Sequence, residues 1–217
     1  MKYKNASAST LVKTGRGEIA GIVVSSTSSG TLRLNDGLTT TTAAAVKATQ
    51  TLTTTDVFSD GEIITVGNPS GDTIVYTMRT ALSSPAVANE VLIGASAAAS
   101  LDNLKSAVNG SAGEGTTYST GTVANPIVTA TTNTNTTQVL EATNTGTDSN
   151  AITTTTDAAN ATFGAGTLAG GTNGNFLMLN TITPAAGANI IFPEPVEFTN
   201  GLYVTAANTI DFMVIYK

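Results

Sequence analysis

Residues 175–217 read NFLMLNTITPAAGANIIFPEPVEFTNGLYVTAANTIDFMVIYK, and the fold of the whole chain turns on this stretch. It is a series of short apolar runs broken by turn residues. Phe176–Thr183 and Ala188–Phe192 lead to a corner at Pro193-Glu194-Pro195. Asn200-Gly201 then opens Leu202–Thr205, and Thr209–Tyr216 closes the series. In the last run Ile210, Phe212, Val214 and Tyr216 alternate with Asp211, Met213 and Ile215, the period of two that marks a strand. The stretch holds most of the large apolar residues but is too short to bury a core alone. Only residues 11–38 share its texture, so the two are expected to form one sheet assembly with everything between them inserted.

Working outward, residues 1–10 are small and polar and read as an N-terminal arm that orders against a neighbour. Leu11–Lys13 and Glu18–Ser25 read as strands. In the second, Ile19, Gly21 and Val23 alternate with Ala20, Ile22 and Val24, so both faces are apolar, as in a strand covered on both sides. Ser25–Gly30 is expected to be a turn, Thr31–Leu34 a strand, and Asn35-Asp36-Gly37 a tight turn. Small-residue bridges at Thr39–Ala45 and Gly164–Gly174 mark the two crossings of an inserted domain. The expected organisation is an arm at 1–10, a base domain at 11–45 and 172–217, and an insert at 46–171.

Within the insert, strands are expected at Ala48–Thr55, Glu62–Val66, Thr73–Thr80, Ile127–Thr132, Thr137–Thr143 and Ala151–Thr155, with a turn at Gly67–Gly71. One helix stands out. Ser96 can cap it, Ala97, Leu101, Leu104 and Val108 form an apolar stripe, and Asn109-Gly110 ends it. Asp102, Asn103, Lys105 and Ser106 fall on its outer face. One helix on a sheet of four to six strands makes a small α+β module. The threonine tracts at 39–42, 53–55 and 153–156 read as strand surface, since a β-branched hydroxyl side chain suits a solvated sheet face. The fold class is therefore mainly β: a small, jelly-roll-like β-sandwich base formed by both chain ends, carrying an inserted α+β module with one helix.

Composition restricts function. The chain has 217 residues, 41% apolar but only 5% aromatic, with 11% charged residues and a formal net charge of −6. Its few Lys and Arg residues are scattered, which argues against a phosphate-binding face and so against nucleic acid. Cys, His and Trp are absent, which removes disulfides, thiolate or imidazole metal sites and the common nucleophile–base pairs. No run approaches the length of a membrane span, and residues 1–10 lack the apolar core of a signal peptide. Asp56, Asp60, Glu62 and Asp72 cluster in sequence as oxygen donors for Ca²⁺, but without EF-hand spacing they read as turn formers. Glu194 and Glu197 form a carboxylate pair on paper, although flanking prolines place them on an exposed corner. Gly164, Gly166, Gly170, Gly171 and Gly174 lack the Gly-Lys-Ser/Thr of a phosphate loop. No catalytic, cofactor or metal residues are assigned, and the chain reads as non-enzymatic.

Two resemblances carry the functional reading. GEIAGIVVSSTSSGTLRLNDG (residues 17–37) and NTITPAAGANIIFPEPVEFTNGLYVTAANTIDFMVIY (180–216) together resemble a small type of phage virion protein. The phrase Phe198-Thr199-Asn200-Gly201-Leu202-Tyr203, followed by a strand ending in Ile215-Tyr216, is its most specific part. The insert resembles a β-rich module of phage structural proteins, through residues 61–110 and the turn NTGTDSNAI at 144–152, with residues 67–72 longer than that module's tight turn. These resemblances imply a tailed-phage virion component on the particle exterior, a capsid decoration (cement) protein or head fibre. They also imply synthesis in the host cytoplasm and a homotrimer bound to the major capsid protein or another virion protein. No cofactor, nucleic acid or membrane partner is expected. Ile19, Ile22, Val24, Phe198, Tyr203, Phe212 and Tyr216 are the expected contacts with other copies or the shell. Two other readings stand beside this one. The first is a tail or fibre component binding host carbohydrate, which needs exposed aromatic platforms from Phe58, Tyr76, Tyr118 or Phe163. The second is a bacterial surface adhesin.

Overall fold

A computed structural model describes every residue except 40–42, 68–70 and 72. In chain order the elements are β1 (Lys2–Ala6), β2 (Thr10–Thr14), β3 (Gly17–Asp36), β4 (Lys47–Thr54), β5 (Ile63–Gly67), β6 (Thr73–Arg79), β7 (Glu90–Leu92) and α1 (Ala97–Asn109). There follow β8 (Val128–Asn133), β9 (Thr137–Thr145), a 3₁₀ turn (Thr147–Ala151), β10 (Thr153–Thr156), β11 (Ala161–Phe163), β12 (Phe176–Ile182), β13 (Asn189–Phe198) and β14 (Gly201–Tyr216). By its contacts the chain divides into two compact units, residues 1–45 with 173–217, and residues 46–172.

The first unit is built on a ribbon of two long antiparallel strands, β3 and β14. β2 and β1 line successive parts of the far edge of β14, while β12 and β13 line successive parts of the far edge of β3. Laid flat, the 20 residues of β3 would span about 65 Å. Yet Phe198 pairs with Gly17 at one end of β3, and the next three residues donate backbone N–H groups to Asp36 at its other end. The ribbon is therefore folded across itself. Counting each half of the long strands separately, one layer runs β2–β14–β3–β12 and the other β1–β14–β3–β13. This is the order of a jelly roll.

The fold-over occurs at Thr27–Gly30 and Ala207–Thr209. Ser29 and Asn208 take left-handed φ of 52° and 60°, and the Asn208 amide donates to the Ser29 carbonyl at 3.0 Å. Ser25–Gly30 is thus not a turn between paired strands. It is the corner at which one strand passes from the first layer to the second. For the same reason Leu202–Thr205 and Thr209–Tyr216 are one strand. Asn35 and Asp36 end β3 in buried positions instead of making a tight turn. The Pro193-Glu194-Pro195 corner lies inside β13, at its register break between Ile191 and Val196, where missing N–H groups cost no ladder bond. Residues 2–6 pair with β14, so the arm is a strand of its own unit.

Pairing parity explains the two-faced texture of residues 18–25. The β14 partners step from Ile215–Gly21 to Tyr216–Ile19 and skip Ala20. That bulge returns Ile19 to the face of Ile22 and Val24. All three are buried with Leu32, Leu34, Phe198, Leu202, Val204, Ile210, Phe212 and Val214 in one core.

The second unit contains two four-stranded sheets, β10–β5–β6–β7 and β11–β4–β9–β8, not the single sheet expected. One core lies between them, with Leu52, Ile64, Tyr76, Met78 and Leu140 joined by Leu101, Leu104 and Val108 of α1. The helix starts at Ser96, whose Oγ accepts from Ala99 N–H, and stops at Gly110 with φ 58°. Its stripe includes Ser100 and Ala107, while Ala97 is only half-buried. α1 packs on β7 and β8, the edge strands of the two sheets. Asn103 donates to the Leu92 carbonyl at 2.8 Å, and the Asn109 amide exchanges two 2.8 Å bonds with the backbone of Ala130. Asn103 is therefore no solvent-facing residue; the two asparagines occupy strand edges that water would otherwise fill. The tract at 153–156 is β10, with Thr154 buried and Thr153 and Thr155 exposed. The tract at 39–42 and the turn at 67–72 fall largely outside the described residues.

Candidate interaction surface

The outer face of the layer β1–β14–β3–β13 carries an apolar row made by direct cross-strand neighbours. Tyr3 pairs with Ile215, Ile215 with Gly21, and Gly21 with Ile191. Opposed residues share a face, and the face is the outer one because Val214 and Ile22 between them are buried. The adjoining row is Asn5, Met213, Val23 and Asn189. Tyr3 is 62% and Ile191 59% exposed. Beside them an open groove of about 490 Å³ is lined by Asn5, Ser7, Val23, Ser25, Asp211 and Met213. Asp211 is its one charged residue, and Ser26 donates to it at 2.6 Å. A face of Tyr, Met and aliphatic side chains, bordered by small polar groups on one side and by the Lys217–Glu18 ion pair on the other, has the composition of an interface core with a polar rim.

The expected contact residues sit elsewhere. Ile19, Ile22, Val24, Phe198 and Phe212 lie inside their own unit's core with at most 2% exposure. A side chain without accessible surface cannot meet a second chain, so these five are corrected to core residues. Tyr203 and Tyr216 are half-buried. Tyr3, Ile191 and Met213 were missed because reading residues 1–10 as an arm removed the strand that completes the face.

The acidic candidates do not converge. Asp56 accepts from Val57 N–H at 2.7 Å, and Glu62 from Ser59 N–H at 2.7 Å. Asp60 accepts from Thr80 N–H at 2.8 Å and pairs with Arg79 at 3.2 Å. The Thr80 N–H, more than Arg79, holds the Asp60 carboxyl below its ordinary range. Asp72 lies outside the described residues. Among the described residues no three acidic side chains gather as metal ligands. Glu197 is paired with Arg16 at 3.1 Å, and Glu194 is exposed at the β13 register break.

The four aromatic candidates of the second unit are not presented as platforms either. Phe58, Tyr76 and Tyr118 are buried in the core of the second unit and Phe163 is half-buried against it. Burial pushes the Tyr76 hydroxyl above its usual pKa, an effect only partly offset by the Asn125 amide, which donates to it at 3.2 Å. Charge is divided unequally between the units. Residues 1–45 with 173–217 hold six basic and five acidic side chains, whereas residues 46–172 hold three basic and ten acidic ones.

No protein-family model matches the chain, and neither a curated protein nor a solved structure matches it.

Proposed function

We propose that this chain is a non-enzymatic structural component of a tailed-phage particle, seated on the outside of the head as a decoration or head-fibre protein. The observation that carries the reading is the apolar outer sheet face of the jelly-roll unit, with Tyr3 and Ile191 exposed and Val23, Met213 and Ile215 half-buried between them. A patch of this kind on a folded domain marks a contact surface. The resemblance of residues 17–37 and 180–216 to phage virion proteins names the setting. The near-neutral first unit is the part that attaches, and the acidic second unit, rich in threonine, keeps its surface soluble and non-adhesive. Burial of Phe58, Tyr76 and Tyr118 weighs against the alternative of a carbohydrate-binding tail fibre, since sugar platforms need exposed rings.

The test is immunogold labelling of virions carrying this gene, using antibody against the purified chain. Gold over the head surface is expected. Label confined to the tail would move the protein to the alternative reading, and unlabelled particles would end the virion reading. Ile191→Asp and Tyr3→Asp, both at exposed positions, should release the protein from heads while leaving its circular dichroism unchanged.

A further inference from the structure

We infer that the groove beside the apolar row receives a basic side chain, Lys or Arg, from the protein that covers this face, with Asp211 as its counter-ion. The inference rests on the reading of this face as the attaching surface and adds the chemistry that the partner must supply.

The first unit has five acidic side chains, and most are engaged within it. Glu18 pairs with Lys217 and Glu197 with Arg16, both at 3.1 Å. Asp36 is taken up by the N–H groups of residues 199–201. Among the described residues neither Glu194 nor Asp211 has a cationic partner, and of these two only Asp211 lines the groove. Ser26, its neighbour across the ladder, donates to Oδ2 at 2.6 Å. That bond orients the carboxylate and leaves Oδ1 open to a ligand. The rest of the lining is neutral. Asn5, Ser7 and Ser25 are exposed there, so the remaining N–H groups of an incoming cation find acceptors beside the carboxylate.

Charge complementarity identifies the occupant. Asp211 is solvated while the face is open. Covering the face removes that water, and a carboxylate enclosed without a cation is strongly unfavourable. The cation therefore has to arrive with the partner. A groove with one negative charge and no positive one also repels phosphate-bearing ligands. A second copy presenting the same face brings no free cation: the apolar rows and the groove hold no Lys or Arg, and Lys217 at their border is engaged by Glu18.

The test measures binding of the purified full-length chain to phage particles whose copy of its gene has been deleted, at low and at physiological salt. Asp211→Asn should weaken binding about 30-fold or more, the change expected when one member of a covered charge pair is lost. Its circular dichroism should match the wild type, because Asp211 is exposed. Wild-type binding should fall as salt rises, and binding of Asp211→Asn should fall less. Glu194→Gln removes the same charge from the same unit but outside the groove, and should leave binding intact. Asp211→Asn binding as tightly as wild type, or Glu194→Gln weakening it as much, overturns the inference, and the virion reading survives either result. Wild-type self-association that Tyr3→Asp abolishes would place a second copy on the face and overturns it too. A wild-type chain that binds no particle ends both readings.

Discussion

At Asp36 one carboxylate takes the N–H and hydroxyl of Thr199, at 2.8 and 3.0 Å, and the N–H groups of Asn200 and Gly201, at 2.7 and 3.3 Å. It thereby ties the end of β3 to the connection that leaves its beginning. Asp36→Ala should remove four hydrogen bonds, leaving the buried Gly201 N–H without its acceptor, and cost about 1–3 kcal/mol, read as a lowered melting transition of the first unit. Gly30 works at the opposite end of the fold-over. A Cβ there would stand 2.5 Å from Ile210 Cβ and 2.7 Å from the Thr209 carbonyl, so Gly30→Ala should force the corner apart at about 1–3 kcal/mol. Tyr76 gives a pH signature in the second unit. Its raised folded pKa means that the protonated phenol is favoured by the fold. That stability is fully present below the unfolded value near 10 and is lost as pH rises through the folded value. Tyr76→Phe should flatten the alkaline loss of stability while giving up the Asn125 bond, about 1 kcal/mol at neutral pH. Melting curves at pH 7 and above pH 10 would separate the two effects.

Among the elements, α1 shows how one helix serves two sheets. Leu104 is buried between them and Leu104→Ala should open a cavity costing about 2–5 kcal/mol. Asn109→Ala removes no apolar contact but leaves the N–H and carbonyl of Ala130 unpaired at the β8 edge, for about 1–2 kcal/mol. Both changes should lower one of two thermal transitions and spare the other. A single transition that falls as a whole would show instead that the units melt together. The helix limits and caps were legible beforehand, because Ser96 and Gly110 act within a turn of their own positions. The edge roles of Asn103 and Asn109 were not, since their partners, Leu92 and Ala130, are brought near only by packing. β7 and β11 escaped reading for a related reason: three residues are too few to display a period.

For the whole molecule, the crossings between the units are narrow. Ala43 and Asn175 bridge in the first unit, with Asn175 N–H to the Ala43 carbonyl at 2.9 Å, and Val46 and Thr172 bridge in the second at 2.9 and 3.1 Å. Replacing residues 46–172 with a short Gly/Ser linker therefore joins positions already side by side. The product should keep strand-type circular dichroism and a cooperative melt. A molten product, with far-UV signal but no cooperative transition, would mean that the jelly roll depends on the insert.

Period-two runs, helix caps and the shared texture of residues 11–38 and 175–217 determined by themselves that the chain is mainly β with one helix, because these signals act over a few residues. Whether Ser25–Gly30 turned a hairpin or folded a continuous strand was not decided locally. Ser, Thr and Gly permit either conformation, and the choice rests on pairing with residues 207–210, far along the chain. The same holds for the candidate surface. Alternation placed Met213 and Ile215 opposite Phe212 and Val214, but which face is covered depends on where the ribbon folds. The skipped pairing at Ala20 then sent Ile19, Ile22 and Val24 inward together. Burial is a property of what lies on the other side, and only the tertiary structure supplies it.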